Sequence, residues 1–210
     1  MSNFFKDYWK NTYQKYNKDD YEIQSAQAKE TFDWHKKYIQ KTVPTYFNDY
    51  NPRVLDIGCS SGYLTNIFSN FSSDVVGIDY EEGFILAAKS NYSAPKFIVG
   101  NIHNLDKIDG LFDLIVCFGV TQYIDDLGSA LRNLKSKYIL ISNHTKSKDG
   151  KFNNKDIKSG DFRRINLFQP PFNFQTNFEK AIKDSCDGVD KYLLLFKNKE
   201  LKKFFKYMKI

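Results

Sequence analysis

A carboxylate, two glycines and a second carboxylate stand at a spacing that could hold a ligand. In Val54-Leu55-Asp56-Ile57-Gly58-Cys59-Ser60-Ser61-Gly62-Tyr63-Leu64, an apolar run ends at Asp56, glycines follow at 58 and 62, and a helix-forming stretch starts near Tyr63. Glycine lets the backbone turn tightly and approach a ligand closely. A dinucleotide fingerprint counted from Gly58 needs glycine at positions held by Ser60 and Tyr63, so it fails. Asp56 would also repel a pyrophosphate, whereas it suits a cationic ligand. No Gly-Lys-Ser/Thr follows, which excludes a phosphate-binding Walker loop. A second acid, Asp79, closes the next apolar run 23 positions after Asp56.

The elements that must position these residues alternate regularly. Apolar runs at Val54–Ile57, Val75–Ile78, Phe97–Val99, Leu114–Phe118 and Tyr138–Ile141 are separated by segments suited to helices or turns. Continuous apolar runs without polar alternation predict strands buried on both faces. Strands alternating with helix-length segments predict right-handed βαβ units and a doubly wound, mostly parallel sheet. Upstream, Asp20 to about Val43 reads as a helix capped by Asp19 or Asp20, with Ile23, Ala26, Phe32 and Ile39 as its apolar stripe. Pro44 and Asn51-Pro52 break it. After Asn143 the rhythm fails. The polar, Lys-rich stretch from Asn143 to Gly160 predicts a loop or lid over a site. Arg164–Phe168, a helix near Asn177–Cys186 and the run Tyr192–Phe196 are candidates to complete the sheet.

Composition narrows the classes. The 210 residues are 41% hydrophobic and 27% charged, a mix that buries a core and excludes disordered and fibrous chains. The longest apolar run falls far short of the roughly 18 to 20 residues of a membrane span. MSNFFKDYWK is charged where a secretory signal would be apolar, so a cytoplasmic location is expected. Cys59, Cys117 and Cys186 form no CxxC pair and no His cluster, so neither a metal site nor a disulfide framework is implied, and Cys59 and Cys117 read as small apolar fillers. The net charge of +6 resides in the last twenty residues, where seven lysines face only Glu200. Arginine, which phosphate and guanine recognition favours, occurs only at 53, 132, 163 and 164. The charge distribution therefore argues against nucleic acid as the main partner.

Asp56-x-Gly58-x-Ser60-x-Gly62 resembles motif I of the class I S-adenosylmethionine-dependent methyltransferases, written D/E-x-G-x-G-x-G. The resemblance runs from about Asn51 to Asn143. It implies a Rossmann-like, seven-stranded, mostly parallel sheet flanked by helices, with S-adenosylmethionine bound beyond the strand ends. It implies that Gly58, Cys59, Ser60 and Gly62 form the cofactor turn behind Asp56. Asp79 then stands where the family binds both ribose hydroxyls, and a carboxylate has two oxygens to accept both protons. Tyr80 becomes an adenosine-edge contact, with a surface aromatic as the plainer reading. Asn101 stands where the family has the Asp that reads the adenine amino group, and Ile102 contacts the ring. Cys117 to Tyr123, with Phe118 as the cofactor contact, occupies the stretch facing the sulfonium and the acceptor. Ser60 for glycine and Asn101 for Asp depart from the family pattern. The implied organisation is one methyltransferase domain over 1–210, with a helical cap over 1–50, a cofactor core over 51–143, and an acceptor-side segment with the last strands and helix over 144–210.

Methyl transfer is dominated by positioning and needs a base only when the nucleophile must lose a proton. Tyr123, after the fourth strand, and His144, after the fifth, are the candidates. His103 and His35 read as structural. Asp125 and Asp126 read as a helix start rather than metal ligands, and Gln169-Pro-Pro-Phe172 as a turn. Between Asn143 and Gln175 basic residues outnumber acids, and the adjacent Arg163-Arg164 pair could grip a phosphate bidentately. The expected acceptor is therefore a small molecule, with an anionic, phosphate-bearing one such as a surface-polysaccharide intermediate as the sharper hypothesis. An RNA or protein methyltransferase using the basic C-terminal tail, and a non-catalytic S-adenosylmethionine-binding module, are the alternatives. Leu201, Phe204, Phe205 and Met208 at helical spacing predict a terminal helix docked on the domain, with membrane-surface contact as the second reading.

Overall fold

The computed structural model describes residues 29–41, 43–47, 50–105, 110–144, 163–174, 178–184 and 191–197, together with a few isolated positions. The proposed caps at Asp19 and Asp20, most of the 145–162 stretch and the terminal helix lie outside these residues. The chain divides into two compact units, Met1–Asp109 and Gly110–Ile210.

The first unit contains α1 (Lys29–Lys41), a short 3-10 turn (Val43–Tyr46), β1 (Arg53–Ile57), α2 (Tyr63–Phe68), β2 (Asp74–Asp79), α3 (Glu82–Asn91) and β3 (Lys96–Val99). Its strands pair in parallel as β3-β2-β1, with Ile57 beside Ile78 and Asp79 beside Val99. That register brings the carboxyl ends of the three strands level. Val54, Leu55 and Ile57 of β1 are buried together with Val75, Val76 and Ile78 of β2, as continuous apolar runs require. Helix α1 buries Thr31, Phe32, His35, Tyr38 and Ile39, the three- and four-residue spacing of a helix face. It packs against α2, where the Phe32 and Tyr63 rings meet edge to face at 6.1 Å.

Phe97 of β3 is the wedge of this unit. A Cβ on Gly62 would lie 2.6 Å from the Phe97 ring, and one on Gly77 would lie 2.8 Å from it. Phe97, Cys59, Ile85 and Ala88 form one buried cluster. Glycine at 62 and 77 is therefore a packing requirement, and at 62 the backbone adds a second reason, with φ at +87°.

The second unit contains β4 (Phe112–Phe118), a 3-10 turn (Thr121–Tyr123), α4 (Leu127–Arg132), β5 (Ser136–His144), β6 (Phe178–Asp184) and β7 (Lys191–Lys197). β4 and β5 are parallel, whereas β7 is antiparallel to both β5 and β6, which orders the unit β4-β5-β7-β6. Leu114–Phe118 and Leu193–Phe196 are buried throughout. Asp126 caps α4 by accepting the Ser129 amide, so the Asp125-Asp126 pair is a helix start as expected.

Among the described residues the architecture is α/β and Rossmann-like, with seven strands that pair mostly in parallel. Two expectations are corrected. Residues 178–184 form strand β6, not a helix: Phe178, Ala181 and Ile182 have helical spacing, but pairing with β7 across a register shift near Phe178 decides their conformation. Arg164–Phe168 adds no strand; it is irregular chain leading into turns. Among the described residues no helix is long and apolar enough to cross a membrane.

Candidate functional site

The turn after β1 is lashed down before any ligand is considered. The amides of Gly58 and Cys59 both donate to the Ile78 carbonyl of β2, at 2.8 and 3.0 Å. Gly62 N–H donates to the Cys59 carbonyl at 2.9 Å and opens α2. Gly58, Ser60 and Gly62 all have left-handed backbones, with φ of 76°, 50° and 87°. Glycine meets that demand without strain, whereas Ser60 carries a steric cost of roughly 1–2 kcal/mol. Its amide is held in return: Ser60 N–H donates to Asp79 Oδ2 at 2.9 Å.

Asp56 is buried at the end of β1 and accepts a 2.6 Å hydrogen bond from the Thr65 hydroxyl of α2. Burial pushes its carboxyl up to about 7; the Thr65 bond opposes the rise and the Asp79 charge adds to it. Asp79 ends β2, and its other oxygen, Oδ1, accepts the Glu81 amide at 2.9 Å. Burial pushes it up to about 6 against the pull of the Glu81, Ser60 and Tyr80 amides. At the end of β3, Asn101 Oδ1 accepts the His103 amide at 3.0 Å and Ile102 is buried. Gly100 N–H donates to the Asp79 carbonyl at 2.8 Å, which ties this loop to β2. Tyr80, half-buried, follows Asp79 directly.

The first unit thus brings Asp56, Gly58, Ser60, Gly62, Asp79, Tyr80, Asn101 and Ile102 to the carboxyl ends of β1, β2 and β3. The Cys59 side chain lies in the Phe97 cluster as a small apolar filler, so only its backbone belongs to the turn. Burial and both carboxylates push its thiol well above the ordinary value, which keeps it protonated and inert. This set suits a cationic nucleoside: a tight glycine turn that lets a ligand approach the backbone, two acids for hydroxyls or positive charge, and an amide side chain beside an apolar one. The donor set fits S-adenosylmethionine.

In the second unit, Phe118 is buried at the end of β4 and Gly119 turns the chain with φ of 70°. Tyr123 is half-buried in the following 3-10 turn, where its amide donates to the Val120 carbonyl at 2.9 Å. His144 is the last residue of β5, paired with Lys191 of β7. The adjacent arginines prove unlike one another. Arg164 is exposed, whereas Arg163 is 3% exposed and spends its guanidinium on the carbonyls of Lys155 and Ile124, each at 2.6 Å. Two side-by-side guanidiniums gripping one phosphate is not the arrangement found. Gln169 to Phe172 is a turn, with the Phe172 amide donating to the Gln169 carbonyl at 3.0 Å.

Sequence reasoning passed over Thr65, Glu81 and Arg163's structural bonds. Thr65 had a legible signal, a hydroxyl in the first turn of the helix after the glycine turn. The others had none. Among the described residues no group of three or more His, Cys, Asp or Glu is placed to hold a metal ion.

Residues 55–137 match the family model of the methyltransferase domain. A malonyl-[acyl-carrier protein] O-methyltransferase of Bacillus anthracis is 31% identical over 86 residues, covering 39% of this chain and 32% of that protein. A ubiquinone biosynthesis O-methyltransferase of Azorhizobium caulinodans is 31% identical over 84 residues, covering 38% of this chain and 33% of the relative. The match therefore spans about a third of the length of these relatives. The N-methyltransferase NodS of Bradyrhizobium japonicum WM9, solved with S-adenosyl-L-homocysteine, shares the fold with a TM-score of 0.63 at 13% identity, over 93% of this chain and 99% of that one. With the turn, the two acids and the strand order already in place, residues 55–137 are similar to the methyltransferase domain, and the chain shares its fold with the solved N-methyltransferase.

Proposed function

We propose that this chain transfers the methyl group of S-adenosylmethionine to an oxygen or nitrogen atom of a small molecule. The observation that carries the reading is the placement of Asp56 and Asp79 on either side of a turn with left-handed residues at 58, 60 and 62. The cofactor supplies a methyl carbon activated by its sulfonium charge. In this reading Asp79 accepts from both ribose hydroxyls, Asn101 accepts from the adenine amino group, and Ile102 packs on the ring. Asp56 faces the positive charge of the amino-acid end, and Phe118 lines the methyl-bearing side. Tyr123 and His144 are the groups that take a proton from the acceptor.

The malonyl-acyl-carrier-protein and ubiquinone-biosynthesis enzymes support a small or carrier-linked acceptor. Support for an anionic acceptor now rests on exposed Arg164, since the Arg163 guanidinium is committed to carbonyls. Calorimetry should show saturable binding of S-adenosylmethionine, and labelled methyl transfer into fractionated metabolites of the source cell should mark one fraction. Tyr123→Phe or a His144→Ala variant should then lower turnover by roughly 10²- to 10⁴-fold with cofactor affinity preserved. Binding without transfer to any fraction would leave a cofactor-binding module and overturn the enzyme reading.

A further inference from the structure

Arg163 touches the carbonyls of both residues that flank Tyr123. Its backbone amide donates to the Gln122 carbonyl at 3.1 Å, and its Nη2 donates to the Ile124 carbonyl at 2.6 Å. Its Nη1 donates to the Lys155 carbonyl at 2.6 Å, and its guanidinium lies over the Phe172 ring, 5.9 Å from the centroid. Next to Lys155, Asn154 continues the brace. Its Nδ2 donates to the carbonyls of Asn166 and Pro170, at 3.0 and 2.9 Å, and its Oδ1 accepts the Asn166 amide at 2.8 Å. One buried cation therefore ties the 3-10 turn bearing Tyr123 to a segment folded around Asn154 and Phe172.

Burying a guanidinium is costly unless its donors are satisfied. A planar fork of fixed donors can reach two carbonyls at once while its face rests on an aromatic ring. A lysine ammonium supplies one compact charge and cannot repeat that geometry. Leu167 and Ile165, buried on the same segment, show that this stretch is packed rather than splayed.

We propose that Arg163 is a positioning residue, which fixes the backbone on both sides of Tyr123 and so sets where the phenol stands. The proposal rests on the reading of Tyr123 as an acceptor-side group. It assigns Arg163 to the enzyme's framework and leaves acceptor charge recognition to other residues.

The test places meta-fluorotyrosine at Tyr123 in the full chain and follows it by fluorine NMR. The unaltered chain gives one narrow resonance. In Arg163→Lys and Arg163→Ala that resonance shifts and broadens or splits, while S-adenosylhomocysteine affinity measured by calorimetry changes less than twofold. Added guanidinium restores the narrow line in Arg163→Ala and not in Arg163→Lys. Should Arg163→Ala fail to fold, Phe172→Leu, which removes only the ring beneath the guanidinium, gives the same broadening at smaller amplitude. A Tyr123 resonance unchanged in the folded variants overturns the proposal. So does a loss of cofactor affinity that parallels the broadening, because that marks a general structural role. Failure of the unaltered chain to bind S-adenosylhomocysteine would instead overturn the methyltransferase reading, and the fluorine signal separates the two.

Discussion

Asp79 accepts the Ser60 amide at 2.9 Å, and Ser60 is the one residue without glycine's freedom among the three left-handed positions of the turn. The acid proposed for the ribose therefore also holds the turn in shape. A hydrogen bond to a charged group contributes roughly 1.5–3 kcal/mol, enough to offset the left-handed cost at a non-glycine residue.

Ser60→Gly should accordingly keep the fold and raise stability by up to about 1 kcal/mol, the left-handed cost less the extra chain entropy that glycine brings to the unfolded state. Urea unfolding checks it. Destabilisation beyond that amount would show that the Ser60 side chain supplies something the backbone geometry does not.

Asp79→Ala should weaken S-adenosylmethionine binding by about 1.5–3 kcal/mol, because it removes a charged acceptor at the strand end while β2 keeps its pairing. Calorimetry on a variant with native circular dichroism is the measurement. Unchanged affinity would remove Asp79 from the site.

The raised carboxyls of Asp56, to about 7, and Asp79, to about 6, set a pH dependence. Their unfolded values lie near 3.9, so between about pH 4 and 7 the folded chain holds more protons than the unfolded one. The contribution of these two groups to the stability of the ligand-free protein therefore falls as pH rises through that window and levels off above it. Asp56→Asn should flatten the fall, since the amide oxygen still accepts from Thr65. A cationic ligand favours the ionised acids, so S-adenosylmethionine affinity should rise from pH 5 to 8 with proton release near pH 6. Calorimetry in buffers of different ionisation enthalpy reads that release, and its absence would contradict the assignment.

Gly62→Ala should be among the most damaging small changes in the first unit. The new Cβ would meet Phe97 at 2.6 Å on a backbone with φ of +87°. Overpacking of roughly 1–3 kcal/mol adds to the left-handed cost of roughly 1–2 kcal/mol. In a Phe97→Leu background the further penalty of Gly62→Ala should shrink, which a double-mutant cycle in urea would show.

Much of the fold was legible because it is written locally. The runs at Val54–Ile57, Val75–Ile78, Phe97–Val99 and Leu114–Phe118 lie within β1 to β4, and Tyr138–Ile141 and Tyr192–Phe196 lie within β5 and β7. Asp125-Asp126 read as a helix start for the same reason, since a cap acts on amides two or three residues away. The second strand's acid and the glycine turn were legible because a strand end and a left-handed backbone both leave a mark in residue type.

Chain sequence alone thus determined the strand succession, the glycine turn and the placing of Asp56 and Asp79 near the ends of neighbouring strands. Tertiary structure decided the rest. Residues 178–184 carry a helix-like spacing, yet backbone hydrogen bonds to β7 make them a strand, and no local preference encodes a partner at 191–197. That Cys59 fills space was legible; that it does so against Phe97 of β3 was not. Arg163 and Arg164 are the same residue type side by side, but one is buried on the carbonyls of Lys155 and Ile124 while the other meets solvent, and only those packed neighbours decide which. A side chain's type fixes what it can bind; only the packed neighbours fix what it does bind.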